Sequence, residues 1–522
     1  MRGTSAGLRL LVLACALLAG CGNFSMVGIL DTPPAGGPST LKLIPVAVSV
    51  PVNGVGRFTA AGGSGGYTYS VMTGGVGGAI TAEGLYTAPA LPGTDSVAVK
   101  DSTGAVCKAT ATVVSLLLLV PDTASVQVGG TYTFDASGGF PPYAYSVAAG
   151  TGVIDPATGL FTAPGAAESD TVRVTDSLNN VSTATALITP ISSWMIQSID
   201  TASRSGQYAS MALSGAGVPQ IAYYESRRVE LRLEKWNGSA WTRQTVDTTG
   251  TVGQYASLAL DAAGHAQVSY YDATNKRLRY ASWNGSAWSI QTVDSGGDLG
   301  KYDSLALDGS GRPKISYYDA TNRILKYASW NGTSWTKQIV DSAADVGMYS
   351  SLALDAGGNP HVSYYDNTNK HLKYASWNGT GWAVQTVDNA GDVGSYSSLA
   401  LDPAGNPRVS YYDGTGKALK YVAGTGTSWG TPQTIDSGND VGTYSSLALD
   451  SGGNPHISYY DNTNRHLKYI SWYGSAWGVP QTADPANNVG MYSSIRCDPA
   501  TGKVRIAYYN SSSMDLKYAK EL

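Results

Sequence analysis

Charge is scarce in this chain. Of its 522 residues only 14% are Asp, Glu, Lys or Arg, the formal net charge is -4, and no block of lysines or arginines occurs. No basic field exists to attract a phosphate backbone, so nucleic acid is not an expected partner. Cysteine is nearly absent too: Cys15 and Cys21 lie close to the start, and Cys107 and Cys497 stand alone in separate regions. That excludes a disulfide framework and a thiolate metal site. Cys497 takes a leucine position of a repeat and reads as a small buried hydrophobe. The five histidines fall on repeat positions that elsewhere hold other side chains, a pattern of solvated surface; neither metal nor cofactor is expected. The apolar run LLVLACALLAG near the start is too short for a mature membrane-spanning helix.

What the chain does have is order along its length. Residues 1–20 carry Arg2 and Arg9 ahead of that apolar run, as a targeting peptide does. The ending Leu18-Ala19-Gly20-Cys21 resembles the lipobox of bacterial lipoproteins. The resemblance implies cleavage before Cys21 and acylation of its side chain, hence a membrane partner through a lipid anchor. Gly22, where the aspartate of inner-membrane retention is missing, favours the outer membrane and cell surface. Residues 21–40 contain TPPAGGPST and form a linker. Two copies of a unit follow, residues 41–115 and 116–190, aligned by GGYTYSV (Gly65 to Val71) against PPYAYSV (Pro141 to Val147), and by GLYTAP against GLFTAP. Their short alternating strands predict antiparallel β-sandwiches. They resemble the Ig-like modules of bacterial surface proteins, which implies a stalk.

All twelve tryptophans fall at or after Trp194, which marks a domain of residues 191–522. Its unit is clearest from Tyr349 to Asp388, and the tyrosine pairs that mark it, Tyr223-Tyr224 to Tyr508-Tyr509, recur every 47 to 49 residues. Within a unit, Ser351-Leu352-Ala353-Leu354 alternates small and large as a packed strand does. DAGGNP then supplies a reversal, Asp366 to Asn369 a second and Asn378-Gly379 a primed hairpin turn. Four antiparallel strands per period predict a propeller blade. The first-strand element and the fourth-strand glutamine each occur seven times, but Trp194 to Asp200 precedes every first strand and the last copy stops after its third. The expectation is an all-β chain with two sandwiches and a seven-bladed propeller, closed by its N-terminal strand against Leu516-Lys517-Tyr518.

Propeller connectivity sends the Tyr-Asp strand ends to one face: Tyr271-Asp272, Tyr318-Asp319, Tyr365-Asp366, Tyr412-Asp413 and Tyr460-Asp461. Asp298, Asp345, Asp392 and Asp440 and the fourth-strand aspartates join them. Recurrence in every unit argues that such aspartates cap turns; a polar, aromatic-rimmed binding surface is the functional reading. Scaffold positions repeat whereas a ligand site can differ, so the variable residue before each first-strand tyrosine is also a candidate. It reads Gln207, Gln254, Lys301, Met348, Ser395, Thr443 and Met491 and rings the channel mouth. Asp303 is singular, its counterparts being Ala or Ser, yet no second carboxyl stands out for a glycosidase pair. The sequons at Asn237, Asn284, Asn331 and Asn378 coincide with hairpin turns and are explained by turn chemistry.

Leu-Ala-Leu-Asp, Gly-Asn-Pro and the tyrosine-aspartate strand end resemble NHL-type propeller repeats, while WNGSAW (Trp283 to Trp288) and RVSYY from Arg408 resemble the blades of fucose-binding lectins. At the lectin glutamate position this chain holds tyrosine (Tyr280, Tyr327, Tyr374), so no lectin residue is carried over. The expectation is a monomeric, lipid-anchored surface protein that binds glycan or a protein ligand and is not an enzyme. The alternatives are an envelope interaction scaffold and a polysaccharide-active hydrolase or lyase.

Overall fold

The computed structural model describes residues 39–201 and 204–522. The targeting peptide, Cys21 and all but the end of the 21–40 linker lie outside them. The described residues are strands and turns without a helix, and the chain divides into two units, one ending at Ile188 and the other running from Thr189 to Leu522.

The first unit holds two copies of one plan. In the first copy a four-stranded sheet is ordered Ala47–Pro51, Val106–Val114, Gly93–Lys100, Thr68–Val71, beside a three-stranded sheet of Val55–Arg57, Leu85–Thr87 and Ala79–Ile80. The second copy repeats the order from Thr123–Gln127 to Ala144–Ala149. Fully buried aromatics fill both cores, Phe58 on Tyr86 in one and Phe134 on Phe161 in the other. The expectation of purely antiparallel pairing is corrected, because Ala47–Pro51 runs parallel to Val106–Val114. Much of the copy's chain lies between these two strands, so no hairpin constrains their relative direction.

The second unit contains seven four-stranded sheets, each of them open. Six are continuous in sequence: residues 205–247, 252–294, 299–341, 346–388, 393–436 and 441–484, here called the first to sixth sheets. The seventh combines Val489–Cys497, Val504–Asn510 and Asp515–Glu521 with Trp194–Asp200, which pairs antiparallel from Trp194 opposite Glu521 to Asp200 opposite Leu516.

Local chemistry explains the repeated motif. The innermost strand of each sheet begins Val/Leu/Ser-Gly-x-Tyr, and its glycine has a positive φ, for example 108° at Gly347. A Cβ there would stand 2.8 Å from the Leu325 Cα of the preceding sheet, so only glycine allows the sheets to approach. The tyrosine two residues later is also left-handed (Tyr349 φ 52°), at a bulge where the register shifts. Beyond the bulge the strand alternates regularly, and Leu352 packs into a core shared with Leu325, Tyr327 and Val340 of the third sheet. Each large apolar side chain buried in this way contributes about 1.5–3 kcal/mol. The serine of S-L-A-L accepts a hydrogen bond from the next sheet, as when Leu352 N donates to Ser304 Oγ at 3.0 Å. This bond recurs around the unit until Met211 N donates to Ser494 Oγ at 3.0 Å and returns to the start.

Candidate functional site

The left-handed tyrosines meet on the axis of the second unit. Tyr208, Tyr255, Tyr302, Tyr349, Tyr396, Tyr444 and Tyr492 form an unbroken circle, with adjacent ring centroids 4.5 to 4.8 Å apart and Tyr492 back against Tyr208. The positive φ costs about 1–2 kcal/mol at each position, and it turns the ring out of the strand toward the axis. The circle walls a cavity of about 190 Å³, whose remaining lining is small, Ala209, Ala256 and four serines, except for Asp303. That is below the roughly 300–1,000 Å³ of drug-sized pockets, room for one small ring or a terminal group. The sequence used these tyrosines only to count repeats, and their convergence was not legible from spacing.

The seven variable residues precede this circle directly. Each pairs in register with the second tyrosine of the next strand, Lys301 opposite Tyr318 and Met348 opposite Tyr365. Lys301 is the ionisable one among them and is firmly placed. Its Nζ lies 2.8 Å from Asp298 Oδ2 and 5.5 Å from the Tyr271 ring centroid, and Tyr271 Oη donates to Asp298 Oδ1 at 2.7 Å. Burial opposes ionisation of Asp298, but Lys301 and Tyr271 outweigh it and hold the carboxyl below the usual range.

The Tyr-Asp strand ends do not form an open rim. Tyr271, Tyr318, Tyr365 and Tyr460 are buried and Tyr412 is half-buried; Tyr271, Tyr318, Tyr365 and Tyr412 donate to Asp298, Asp345, Asp392 and Asp440. Asp272, Asp319, Asp366, Asp413 and Asp461 accept backbone N–H groups of the turn that follows, as Asp366 does from Asn369 at 2.9 Å. The turns themselves display what the sequence reading passed over. A basic residue recurs before the third strand, at Lys276, Arg323, Lys370, Lys417 and Arg465, and all five are exposed. The backbone places them on the face where the inner strands begin, since Leu299 N donates to Lys276 O and Val346 N to Arg323 O.

Fourth-strand aspartates are likewise not on the surface. Asp388 accepts from Tyr411 Oη at 2.7 Å and from Lys420 Nζ at 2.6 Å, both on the next sheet. The same staple joins every neighbouring pair of sheets: Asp200, Asp247, Asp294, Asp341, Asp436 and Asp484 each hold the tyrosine and the lysine or arginine that follow 23 or 24 and 32 or 33 residues later. Five tryptophans, Trp241, Trp335, Trp382, Trp429 and Trp477, are equally committed. Trp382 Nε1 donates to Gln338 Oε1 of the preceding sheet at 3.0 Å, and its ring packs on Tyr327. Two of the histidines expected on solvated surface, His361 and His456, instead pack against Tyr374 and Tyr469 within hydrogen-bonding reach of the phenols. Burial lowers their affinity for a proton, against the pull of Asp355 and Asp450. The sequon asparagines cap their hairpins, Asn378 Oδ1 accepting from Thr380 N and Gly381 N.

Asp303 lies in the cavity wall. Its Oδ2 accepts from Ser269 Oγ, its Oδ1 has no partner, and burial raises its proton affinity far above that of an ordinary carboxyl. Among the described residues no cluster suited to a metal ion occurs.

No family model and no curated protein matches the chain. Solved structures do resemble it. An ulvan lyase, described as a polysaccharide lyase and bound to -[GlcA(1-4)Rha3S]-, shares 13% identity over 61% of this chain and 94% of its own, with a TM-score of 0.44. The α-L-arabinanase of Penicillium chrysogenum shares 12% over 64% and 97%, with a TM-score of 0.40. A Hadza microbial sialidase shares 12% over 70% and 78%, with a TM-score of 0.39. These neighbours correct the expectation of a binding protein without enzymatic activity, because their names are those of glycan-active enzymes. At this identity the likeness extends to the fold alone: the chain is an all-β protein with propeller-like repeated four-stranded sheets.

Proposed function

We propose that this chain is a polysaccharide lyase acting on anionic, uronate-containing glycans at the mouth of the tyrosine-walled cavity. In this reading the second unit is a seven-bladed propeller, carried on two Ig-like modules from a lipid anchor at Cys21 in the outer membrane. The observation that carries the proposal is the charge on the face of the mouth. Five exposed basic residues stand on it and Lys301 lies beside the mouth, next to the lining residue Tyr302, in a chain whose net charge is negative.

Two-carboxylate hydrolysis is less well supported. It needs carboxyls about 5–9.5 Å apart on either side of the bond, and of the carboxyls nearest the mouth Asp298 is held by Lys301 and Tyr271 while Asp303 is buried in the wall. Elimination asks for different parts. A cation pairs with the substrate carboxylate and acidifies the hydrogen on the adjacent carbon; Lys301 supplies it by exchanging Asp298 for the substrate carboxylate. A base takes that hydrogen as a proton, the electron pair forms the carbon–carbon double bond, and the bond to the leaving glycosidic oxygen breaks as that oxygen is protonated. Tyr302, next to Lys301, is assigned as proton acceptor; it acts as the phenolate, its own proton having passed to water before the step. Tyr255, kept protonated by burial and by the neighbouring Tyr302 and Tyr208, is assigned as donor.

The test is incubation of the purified chain with alginate, pectate and ulvan, reading the ultraviolet absorbance of unsaturated uronate ends. Absorbance is expected to rise on at least one polymer. K301M, which installs the residue of two sister sheets, should lower the rate about 100-fold or more. New reducing ends without unsaturated ones, or full activity in K301M, would sink the assignment. For the anchor, C21S is expected to move the protein from the membrane to the soluble fraction.

A further inference from the structure

Asp303 occupies a position whose ordinary occupant has a defined task. In the four sheets that follow the third, this position is a serine that reaches back across the seam. Ser350 Oγ donates to Tyr302 O at 2.7 Å and meets Ser316 Oγ at 2.9 Å; Ser397 donates to Tyr349 O at 2.9 Å and meets Ser363 Oγ at 3.0 Å. Ser445 and Ser493 repeat the pattern on Tyr396 O and Tyr444 O, each at 2.8 Å. One hydroxyl therefore serves as donor to a carbonyl and partner to a serine. At the third sheet Ser269, the counterpart of Ser316, does donate to Asp303 Oδ2. The counterpart of the carbonyl is Tyr255 O, and the second carboxyl oxygen, Oδ1, is buried and without a partner. An ionised carboxylate has two acceptors and no donor. It would set an uncompensated charge against a carbonyl dipole in a wall that is 8% exposed at Asp303.

We propose that Asp303 is held as a neutral carboxylic acid whose hydroxyl takes the place of the serine and donates to the Tyr255 carbonyl, and that release of this proton loosens the cavity wall between the second and third sheets. The surroundings fit a neutral group. Its titratable companions in the lining are phenols, Tyr255 on the second sheet, Tyr302 on its own strand and Tyr349 on the fourth sheet, and no lysine, arginine or histidine lines the cavity. The nearby charged pair, Lys301 with Asp298, is bound to itself at the mouth. The raised proton affinity of Asp303 has burial as its largest cause, with Ser269 opposing it. The bond is dispensable for folding, since Ala209 and Ala256 fill the same position in the first and second sheets. The proposal is independent of the lyase assignment, which uses other side chains.

Two measurements on the full chain test it, both against D303S. The infrared difference spectrum of parent minus D303S at neutral pH is expected to show the carbonyl band of a protonated carboxyl. The second is the melting temperature followed from weakly acidic to alkaline pH. A carboxyl with raised folded affinity stabilises most when protonated in both states and loses that contribution as pH rises toward its folded titration. D303S should therefore gain on the parent by several degrees as pH rises, and D303N, whose amide can donate to Tyr255 O and accept from Ser269, should follow D303S. Absence of the band, or melting curves that stay parallel across the pH range, would overturn the proposal.

Discussion

The seam closed by the N-terminal strand and the seam between the fourth and fifth sheets use one staple in two electrostatic settings. Between the fourth and fifth sheets the parts are minimal, Asp388 with Tyr411 and Lys420, and all three are buried. At the closing strand Asp200 accepts from Tyr223 at 2.7 Å and from Arg232 at 3.1 Å, but Arg232 also holds Glu230 at 2.6 Å and Glu225 at 3.4 Å. Arg243 bridges Asp200 at 2.7 Å and Glu234 at 2.6 Å. Four carboxylates thus share two guanidiniums, and Glu225, Glu230 and Glu234 are all buried. Arginine is suited to this, because its fork serves several acceptors where an ammonium is a point charge. The difference teaches that the seam whose aspartate sits on the strand recruited across the ends of the unit carries more paired charge than a seam between two sheets that are each continuous in sequence. It also leaves that seam short of positive charge.

Removing the closing strand should break the comparison outright. Deletion of residues 191–200 takes away the partner of Asp515–Glu521 and the whole Asp200 network, and backbone bonds at about 0.5–1.5 kcal/mol each alone sum to several kcal/mol. The expected outcome is a large drop in melting temperature or loss of a cooperative transition; a truncation melting with the parent would refute closure. R232M should come next, at about 3–5 kcal/mol by chemical denaturation, because it strands buried carboxylates. The matched K420M leaves Asp388 its Tyr411 donor and should cost less, about 1–3 kcal/mol.

Acid should separate the two seams by sign. Burial raises the proton affinity of Glu234 despite Arg243, so this seam is weakened as pH climbs above the ordinary glutamate range and gains on acidification. Asp388 goes the other way. Burial works against its charge, Lys420 and Tyr411 outweigh it, and the depressed affinity makes that seam lose stability as pH falls through its folded titration. Hydrogen exchange of the seam amides at neutral and mildly acidic pH should show slower exchange on acidification at the first and faster at the second. Identical responses would remove the distinction. The smallest effect is expected from Y411F, about 1 kcal/mol, since Asp388 keeps Lys420.

Much of this was legible in residues before any contact was known. The S-L-A-L run and the turns DAGGNP and Asn378-Gly379 announce the strands of a repeated sheet, and Trp194 to Asp200 announces by its phase that the ends must meet. The staple was not, because Asp388, Tyr411 and Lys420 are 23 and 32 residues from first to last and each alone reads as a turn cap or a solvated side chain. The hold on Trp382 was equally hidden, because Gln338 and Tyr327, which pair with it, stand on the neighbouring sheet. The parallel edge pair at Ala47–Pro51 left no local trace at all.

What the sequence determined by itself was periodic: strand length, turn chemistry, repeat number and the phase of the ends, all properties of neighbours along the chain. What only the tertiary structure decided was convergence. Seven tyrosines about 47 residues apart become one wall because each glycine lets a sheet approach its predecessor and each left-handed tyrosine turns inward. A single Ser-to-Asp difference acquires meaning only where that wall buries it and leaves one oxygen without a partner, since burial and partner are set by contacts that spacing does not contain.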